Sequence, residues 1–287
     1  MNSVLKQISV FTLSILVILL FTNSAFGQNN NKLSDTENGG FLEINTGILA
    51  LNSRYIDAPE NAGVIADLRF SYYWRGFFLE NRGHQGIGFP GVGYNFYNED
   101  TWMLDIFITE THPSILWDNE IDIENGVLNE QDGLIGIRPR ESDDRIALRA
   151  TRFIDDTTAL RFLIAPISDT NGIAEVSPYL AVWYGKTWQY QNINFHSIYS
   201  AQYYNTSTLQ YYYGVTDEDV SEKFQPYKAH SGVSLSAEFG MTYPLSADWL
   251  FESSVKLTRL PDNIHNSPLV SGRLESQAQI SLTYVIF

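Results

Sequence analysis

The 287-residue chain contains no cysteine, which excludes disulfides, thiolate metal sites, cysteine nucleophiles and a lipidated N-terminal cysteine. It is short of positive charge. Its 18 Lys and Arg stand against 33 Asp and Glu, a formal net charge of −15, so it repels phosphate backbones and takes no nucleic-acid partner. Charged residues of either sign make up only 18 %, below the ~25 % of soluble domains. Past Phe21 no apolar run approaches the ~18 residues of a membrane helix, and a mean hydropathy of −0.16 argues against a multi-span helical protein. What the chain does have is aromatic side chains, 17 Tyr, 17 Phe and 6 Trp, which exclude disorder for most of its length.

The N-terminus reads as an export signal. Lys6 supplies a basic start, Val10 to Phe21 an apolar run, and Ala25-Phe26-Gly27 the small residues of a cleavage site. Residues 1–27 are therefore expected to be a signal peptide and the mature chain to begin near Gln28. Residues 28–40 are polar and expected to be disordered.

The mature chain alternates with period two. Ala62, Val64, Ala66, Leu68, Phe70, Tyr72 and Trp74 oppose Asp67, Arg69 and Ser71; Val233, Leu235, Ala237 and Phe239 oppose Ser234, Ser236 and Glu238. That is strand geometry. A soluble sandwich or lipocalin-like barrel would bury the apolar face; a membrane barrel turns it towards lipid. The strands reach the ~9–11 residues needed to cross a bilayer, the chain carries an export signal, and aromatics cluster at strand ends as in interfacial girdles. The expected fold is an all-β transmembrane antiparallel barrel over residues 41–287, as one domain.

Strands are expected near 41–51, 62–82, 86–97, 101–110, 145–154, 157–166, 174–187, 189–203, 206–215, 231–243, 247–260 and 270–286. That gives about twelve, or fourteen if 62–82 breaks near Arg75-Gly76. The turn 243–248 is expected to face the periplasm and loops 216–230 and 261–269 the outside. Segment 111–144 holds nine acids and two bases. Its side of the membrane depends on strand parity: eight following strands place it in the periplasm, and one miscounted strand moves it outside. Asp118, Glu120, Asp122 and Glu124 could offer oxygen ligands to calcium, but no glycine turn accompanies them, and a solvated acidic loop is the simpler reading.

In the C-terminal third, Tyr211-Tyr212-Tyr213-Gly214-Val215 is followed by Pro226-Tyr227, Gly232, Tyr243-Pro244-Leu245, Trp249, Arg259-Leu260 and Asn266-Ser267-Pro268-Leu269-Val270. This order resembles the MipA/OmpV family of outer-membrane proteins (MltA-interacting protein-like). The match is good over residues 200–287 and loose in the N-terminal half, through Tyr72-Tyr73-Trp74, Phe77-Phe78 and Gly86-Ile87-Gly88. The resemblance implies an outer-membrane barrel of a Gram-negative cell. For the best-known branch it implies a scaffold joining a periplasmic lytic transglycosylase to a murein synthase; other branches are porin-like or adhesive.

The chain ends on an aromatic residue, Phe287, the kind of assembly signal that the barrel assembly machinery reads. It departs from the pattern in two ways. Phe287 shares the parity of the polar face, and Tyr284 stands one residue further from it than in the family's usual tyrosine-x-phenylalanine ending.

Catalytic constellations are missing: there is no G-x-S-x-G, H-E-x-x-H or P-loop. His230 shares a strand face with Ser234, Ser236 and Glu238, yet spacings of four residues or more span ~13 Å along a strand, too far for a hydrolase site. Gly86 to Gly93 is glycine-rich but continues as strand rather than helix. No enzyme, cofactor or metal is expected. Asp67, Arg69, Asp105, Arg161, Glu238, Glu252 and Lys256 are expected to line the lumen, where opposed charges pair or tune ion passage. The readings that follow are a scaffold for peptidoglycan enzymes, a passive small-solute channel, or a surface adhesin.

Overall fold

The structure, a computed structural model, describes residues 38–52, 54–56, 61–81, 91–115, 134, 136–219 and 222–287. The expected signal peptide, residues 28–37, the Gly86–Pro90 glycines and the acidic Asp118–Glu124 run lie outside them. Residues Leu33–Ile286 form one compact unit.

Its strands are β1 (Gly39–Leu51), β2 (Asn61–Trp74), β3 (Phe77–Asn81), β4 (Gly91–Glu99), β5 (Trp102–His112), β6 (Asp143–Asp155), β7 (Thr158–Ile167), β8 (Val176–Tyr190), β9 (Ile193–Tyr204), β10 (Gly232–Pro244), β11 (Trp249–Arg259) and β12 (Leu274–Val285). Two short helices, α1 (Thr206–Tyr213) and α2 (Asp262–His265), sit in the connections. Every strand pairs antiparallel with its sequence neighbours, and β1 pairs with β12 to close a twelve-strand barrel. Gly39 and Gly40, expected in the disordered start, already pair with Tyr73 and Tyr72 in β1.

The apolar faces point outward on every strand. Ile48, Val64, Val92, Ile146, Phe239, Val255 and Ile280 are all at least 45 % exposed, and Val64 reaches 83 %. Soluble proteins do not carry an apolar band around their whole circumference; lipid is the solvent that makes it favourable. The alternate positions point inward and are largely polar, with Asn45, Asp105, Arg149, Thr151 and Thr283 buried, while Phe78, Phe107, Ala147, Leu163 and Tyr179 pack as an apolar patch on the inside of β3 to β8.

Two expectations on the strand list are corrected. The 62–82 segment is two strands, because the chain reverses at Arg75 and Gly76, both with positive φ (50° and 86°), as in the tight turns that join hairpins. Segment 206–215 is helix α1 rather than a strand. The Asn205 side chain caps it by accepting from the Ser207 N–H at 2.7 Å. Its buried residues Thr208, Leu209, Tyr212 and Tyr213 follow the helical period on one face. One strand gained and one lost leave the count at twelve. The break expected at 188 also moves, to Gln191-Asn192.

The connections sort by length. Residues 75–76, 100–101, 156–157, 191–192 and 245–248 make short turns at the barrel end where β1 begins and β12 stops. The longer connections leave from the ends of β1, β3, β5, β7, β9 and β11, which all lie at the other end. Seven strands, not eight, follow the acidic segment, and its described residues 113–115, 134 and 136–142 lie at the long-connection end.

Candidate functional site

The barrel interior is built differently on its two sides. On the wall of β1, β2, β11 and β12 it is filled. Arg69 Nη2 donates to Glu252 Oε2 at 2.5 Å and to Thr283 Oγ1 at 2.6 Å, with Glu43 Oε2 at 3.4 Å. Thr283 Oγ1 donates in turn to Glu252 Oε2 at 2.6 Å, and Asn45 donates to Ser281 and Thr283 at 2.9 and 2.8 Å. Asp67 faces inward beside Asn45 across the β1–β2 ladder. These strands are pinned to one another by charge-assisted hydrogen bonds in a water-poor space, where each is stronger than at a surface.

A second cluster holds β3, β5 and β6. Arg149 donates from Nε to Asp105 Oδ2 at 2.7 Å and from Nη1 to Glu80 Oε1 at 2.5 Å. Asn95 donates to the other Asp105 oxygen at 2.8 Å. The guanidinium lies 4.6 Å from the Phe107 ring centre and 5.1 Å from that of Phe78. Its Nη2 is buried with no hydrogen-bond partner.

Between these clusters, along β5 to β11, the interior is hollow. A cavity of about 310 Å³ is lined by Arg149, Arg161, Trp183, Gln202, Ser236, Glu238 and Lys256, among others. Arg161 donates to Thr151 Oγ1 at 3.2 Å, and Glu238 accepts from His196 Nε2 at 3.2 Å. A second cavity of about 300 Å³, at the turn 156–157 and beside Gly185–Thr187 of β8, shares Ala159, Gly185 and Ile198 with it, so the two meet towards the short-turn end.

The long-connection end is closed by a cap. Tyr55, Ile115, Leu134, Ile173, Leu209, Tyr212, Tyr213, Val215, Phe224, Leu260, Ile264 and Leu269 form a buried apolar core drawn from five connections. Arg145, wholly buried, fixes α1 to the wall: it pairs with Asp143 at 2.6 Å and donates to Thr208 Oγ1 at 3.0 Å and to the Ser177 carbonyl. His112 stacks on Tyr212, ring centres 3.5 Å apart. His112 Nδ1 faces the Pro113 carbonyl at 2.7 Å and must donate to it, so in the neutral ring Nε2 accepts from Tyr213 OH at 2.9 Å. Tyr213 OH in turn accepts from Arg54, whose guanidinium pairs with Glu275.

Asp219 ties the outer loops of the cap, pairing with Arg140 at 2.8 Å and Arg138 at 3.2 Å. Burial opposes its ionisation, but the hydrogen bonds from Arg138 and the charge of Arg140 win and hold the carboxyl well below the usual range. Burial pushes the Tyr212 hydroxyl far up; it stays protonated and donates to the Glu141 carbonyl at 2.6 Å.

The motif positions largely meet in this cap. Gly214 ends α1, Val215 and Tyr227 bridge each other, and Tyr227 OH donates to the Asn263 carbonyl at 2.9 Å. Ser267 Oγ donates to the Tyr213 carbonyl at 2.7 Å, and Leu260 packs in the core. Pro268 is half-buried beside them and Pro226 is exposed. Two positions sit on the wall instead: Trp249 faces lipid against Tyr284, and Arg259 ends β11 facing outward. Phe287 lies past β12, 54 % exposed. His230 is exposed at the cap, and the acid of its strand, Glu238, is partnered with His196. Arg145, Arg149 and His112 were missed by sequence reasoning. The first two carry a signal that could have found them: with Asp143 and Ala147 they occupy alternate, inward positions of one strand.

A closed antiparallel barrel with an apolar belt outside and charges inside is a transmembrane β-barrel. More narrowly, the chain belongs to the MipA family: the family model for "MltA-interacting protein MipA" matches residues 47–286. It is an outer-membrane barrel. Among curated proteins nothing matches it. Among solved structures it is similar to the outer membrane channel DcaP of Acinetobacter baumannii, at 8 % identity and TM-score 0.44 over 87 % of this chain and 97 % of that one. OmpT, an outer membrane protein of Vibrio cholerae, matches at 6 % identity and TM-score 0.40 over 89 % of this chain and 100 % of that one. The NanC porin matches at 8 % identity and TM-score 0.37 over 85 % and 98 %. Outer-membrane barrels put short turns in the periplasm and long loops outside, which sets the cap on the cell surface and the hollow's mouth towards the periplasm.

Proposed function

We propose that this protein is a non-enzymatic, non-conducting barrel that serves as a membrane-held scaffold on the periplasmic side, joining a lytic transglycosylase to a murein synthase. The cap is the observation that carries the closed-barrel half of the reading: its apolar core sits across the outer end, where a diffusion channel needs water. The partner half is supported by the family, whose description names an MltA-interacting protein. Residues 1–27 act as the export signal and Phe287 as the mark read by the barrel assembly machinery. A second reading, a passive channel, is favoured by the hollow along β5 to β11.

The experiment uses the refolded mature protein, residues 28–287, in two assays. In a planar bilayer the scaffold reading expects silent insertion, and stable current steps would install the channel reading instead. In liposomes with the barrel's periplasmic end accessible, crosslinking is expected to capture a lytic transglycosylase. Failure to capture either murein enzyme would sink the scaffold.

A further inference from the structure

We infer that the hollow half of the barrel is a binding site, entered from the periplasmic end, for a small anionic sugar: a single ring bearing a carboxylate or a phosphate. A volume of about 310 Å³ falls in the range of small-molecule sites and suits one sugar ring with its substituents. Its lining carries three cations, Arg149, Arg161 and Lys256, against two carboxylates, Glu80 and Glu238. Both lining carboxylates have partners, Glu80 with Arg149 and Glu238 with His196. Lys256 lies across the ladder from Glu238 yet makes no ion pair among the described residues. Arg149 adds a buried Nη2 with no acceptor. An ammonium outside any ion pair and a guanidinium N–H without an acceptor, inside a barrel, offer an anion two donors in a medium that screens poorly.

The lining also suits a ring with hydroxyls. Trp183 offers an aromatic face beside Arg161, its neighbour across the β7–β8 ladder. Two residues on, the place where a Cβ of Gly185 would stand has nothing within 4 Å, so the wall beside the indole is open. Gln202 and Ser236 supply amide and hydroxyl groups on the same wall. An inorganic anion would use the cations and leave Trp183 idle; a neutral sugar would do the reverse. The site is independent of the scaffold reading, since it needs only the closed cap and the periplasmic mouth.

The test is calorimetric titration of the folded protein in detergent at low salt, with tryptophan fluorescence in parallel, against glucuronate, glucose 6-phosphate, glucose and inorganic phosphate. Saturable binding of one charged sugar is expected, about tenfold or more tighter than glucose or inorganic phosphate. Whether glucuronate or glucose 6-phosphate binds tighter tells carboxylate from phosphate. K256Q is expected to lose about tenfold in affinity, K256R to keep it, and W183F to abolish the fluorescence change while circular dichroism still reports the barrel. The inference falls if glucose binds as well as the charged sugars, if inorganic phosphate does, if none of the four saturates, or if K256Q binds like the parent.

Discussion

Leu209→Ala is the perturbation that separates the cap from the barrel. Leu209 is completely buried in α1, among Tyr213, Phe224 and Leu260 of the cap core, and belongs to no strand. Removing three carbons from such a position costs ~2–5 kcal/mol, the spread reflecting how far the neighbours collapse into the space. At 1.4 kcal/mol per decade, the open fraction of the cap rises by roughly thirty- to several-thousand-fold. Two readouts follow the same change. Protease nicking within 205–231, on liposomes exposing the outer end, is expected to accelerate. In a planar bilayer the parent stays silent while L209A shows brief current steps. Faster nicking with unchanged silence would refute the claim that the cap is what closes the barrel. No change in either readout would refute the claim that the cap rests on this core.

Other predictions concern the wall and the pH response. Arg149→Met strands the buried carboxylates of Asp105 and Glu80 without their shared cation, and is expected to lower stability by ~3–5 kcal/mol in urea unfolding from micelles. Asp105→Asn is expected to cost less, ~1–3 kcal/mol, because Glu80 still holds Arg149. Gly47→Ala strikes the seam that closes the barrel: the new Cβ would stand 2.2 Å from the Ile280 carbonyl oxygen and 2.6 Å from Ser281 Cα. Backbone cannot step aside as a flexible side chain can, so ~1–3 kcal/mol and slower formation of the folded gel band are expected. Asp219 has a lowered folded pKa, so its contribution is fully present above the ordinary carboxylate pKa of ~3.9 and is lost as pH falls through the folded value. Protease sensitivity of the cap should therefore rise on acidification below that range. D219N should be sensitive already at pH 7, and a D219N cap whose sensitivity at pH 7 matches the parent would count against the pairing with Arg138 and Arg140.

The barrel was legible because lipid imposes period two on every strand, and Ala62 to Trp74 or Val233 to Phe239 display it without interruption. The inward parity of Arg69, Asp105 and Lys256 follows from the same alternation. Their partners do not: Arg69 meets Glu252 across the closing seam, and Arg149 meets Glu80 three ladders away, matters of register and shear rather than of local pattern. Segment 206–215 misled because alternating Thr, Leu and Tyr suits either period; the capping Asn205 ahead of Thr206-Ser207-Thr208, and Gly214 after the helix, were the discriminating signals. The break in 62–82 was legible at Arg75-Gly76 as the alternative, but the aromatics that run through this two-residue turn suit one long strand as well. For the cap, the motif residues were visible in order but not their convergence, which depends on loops meeting over a barrel not yet closed.

That convergence has a consequence for biogenesis. Arg54 reaches Glu275 across 221 positions of the chain, Tyr55 bridges Val270, and α1 waits on Ser267. Contacts so distant in sequence cannot form until β1 has found β12, since only the closed seam brings the first and last connections over one opening. The cap is therefore a completion mark. A barrel stalled before its last strand would present loose, cleavable loops, whereas a finished one presents a packed core, and the difference could be read from outside the cell by any surface protease.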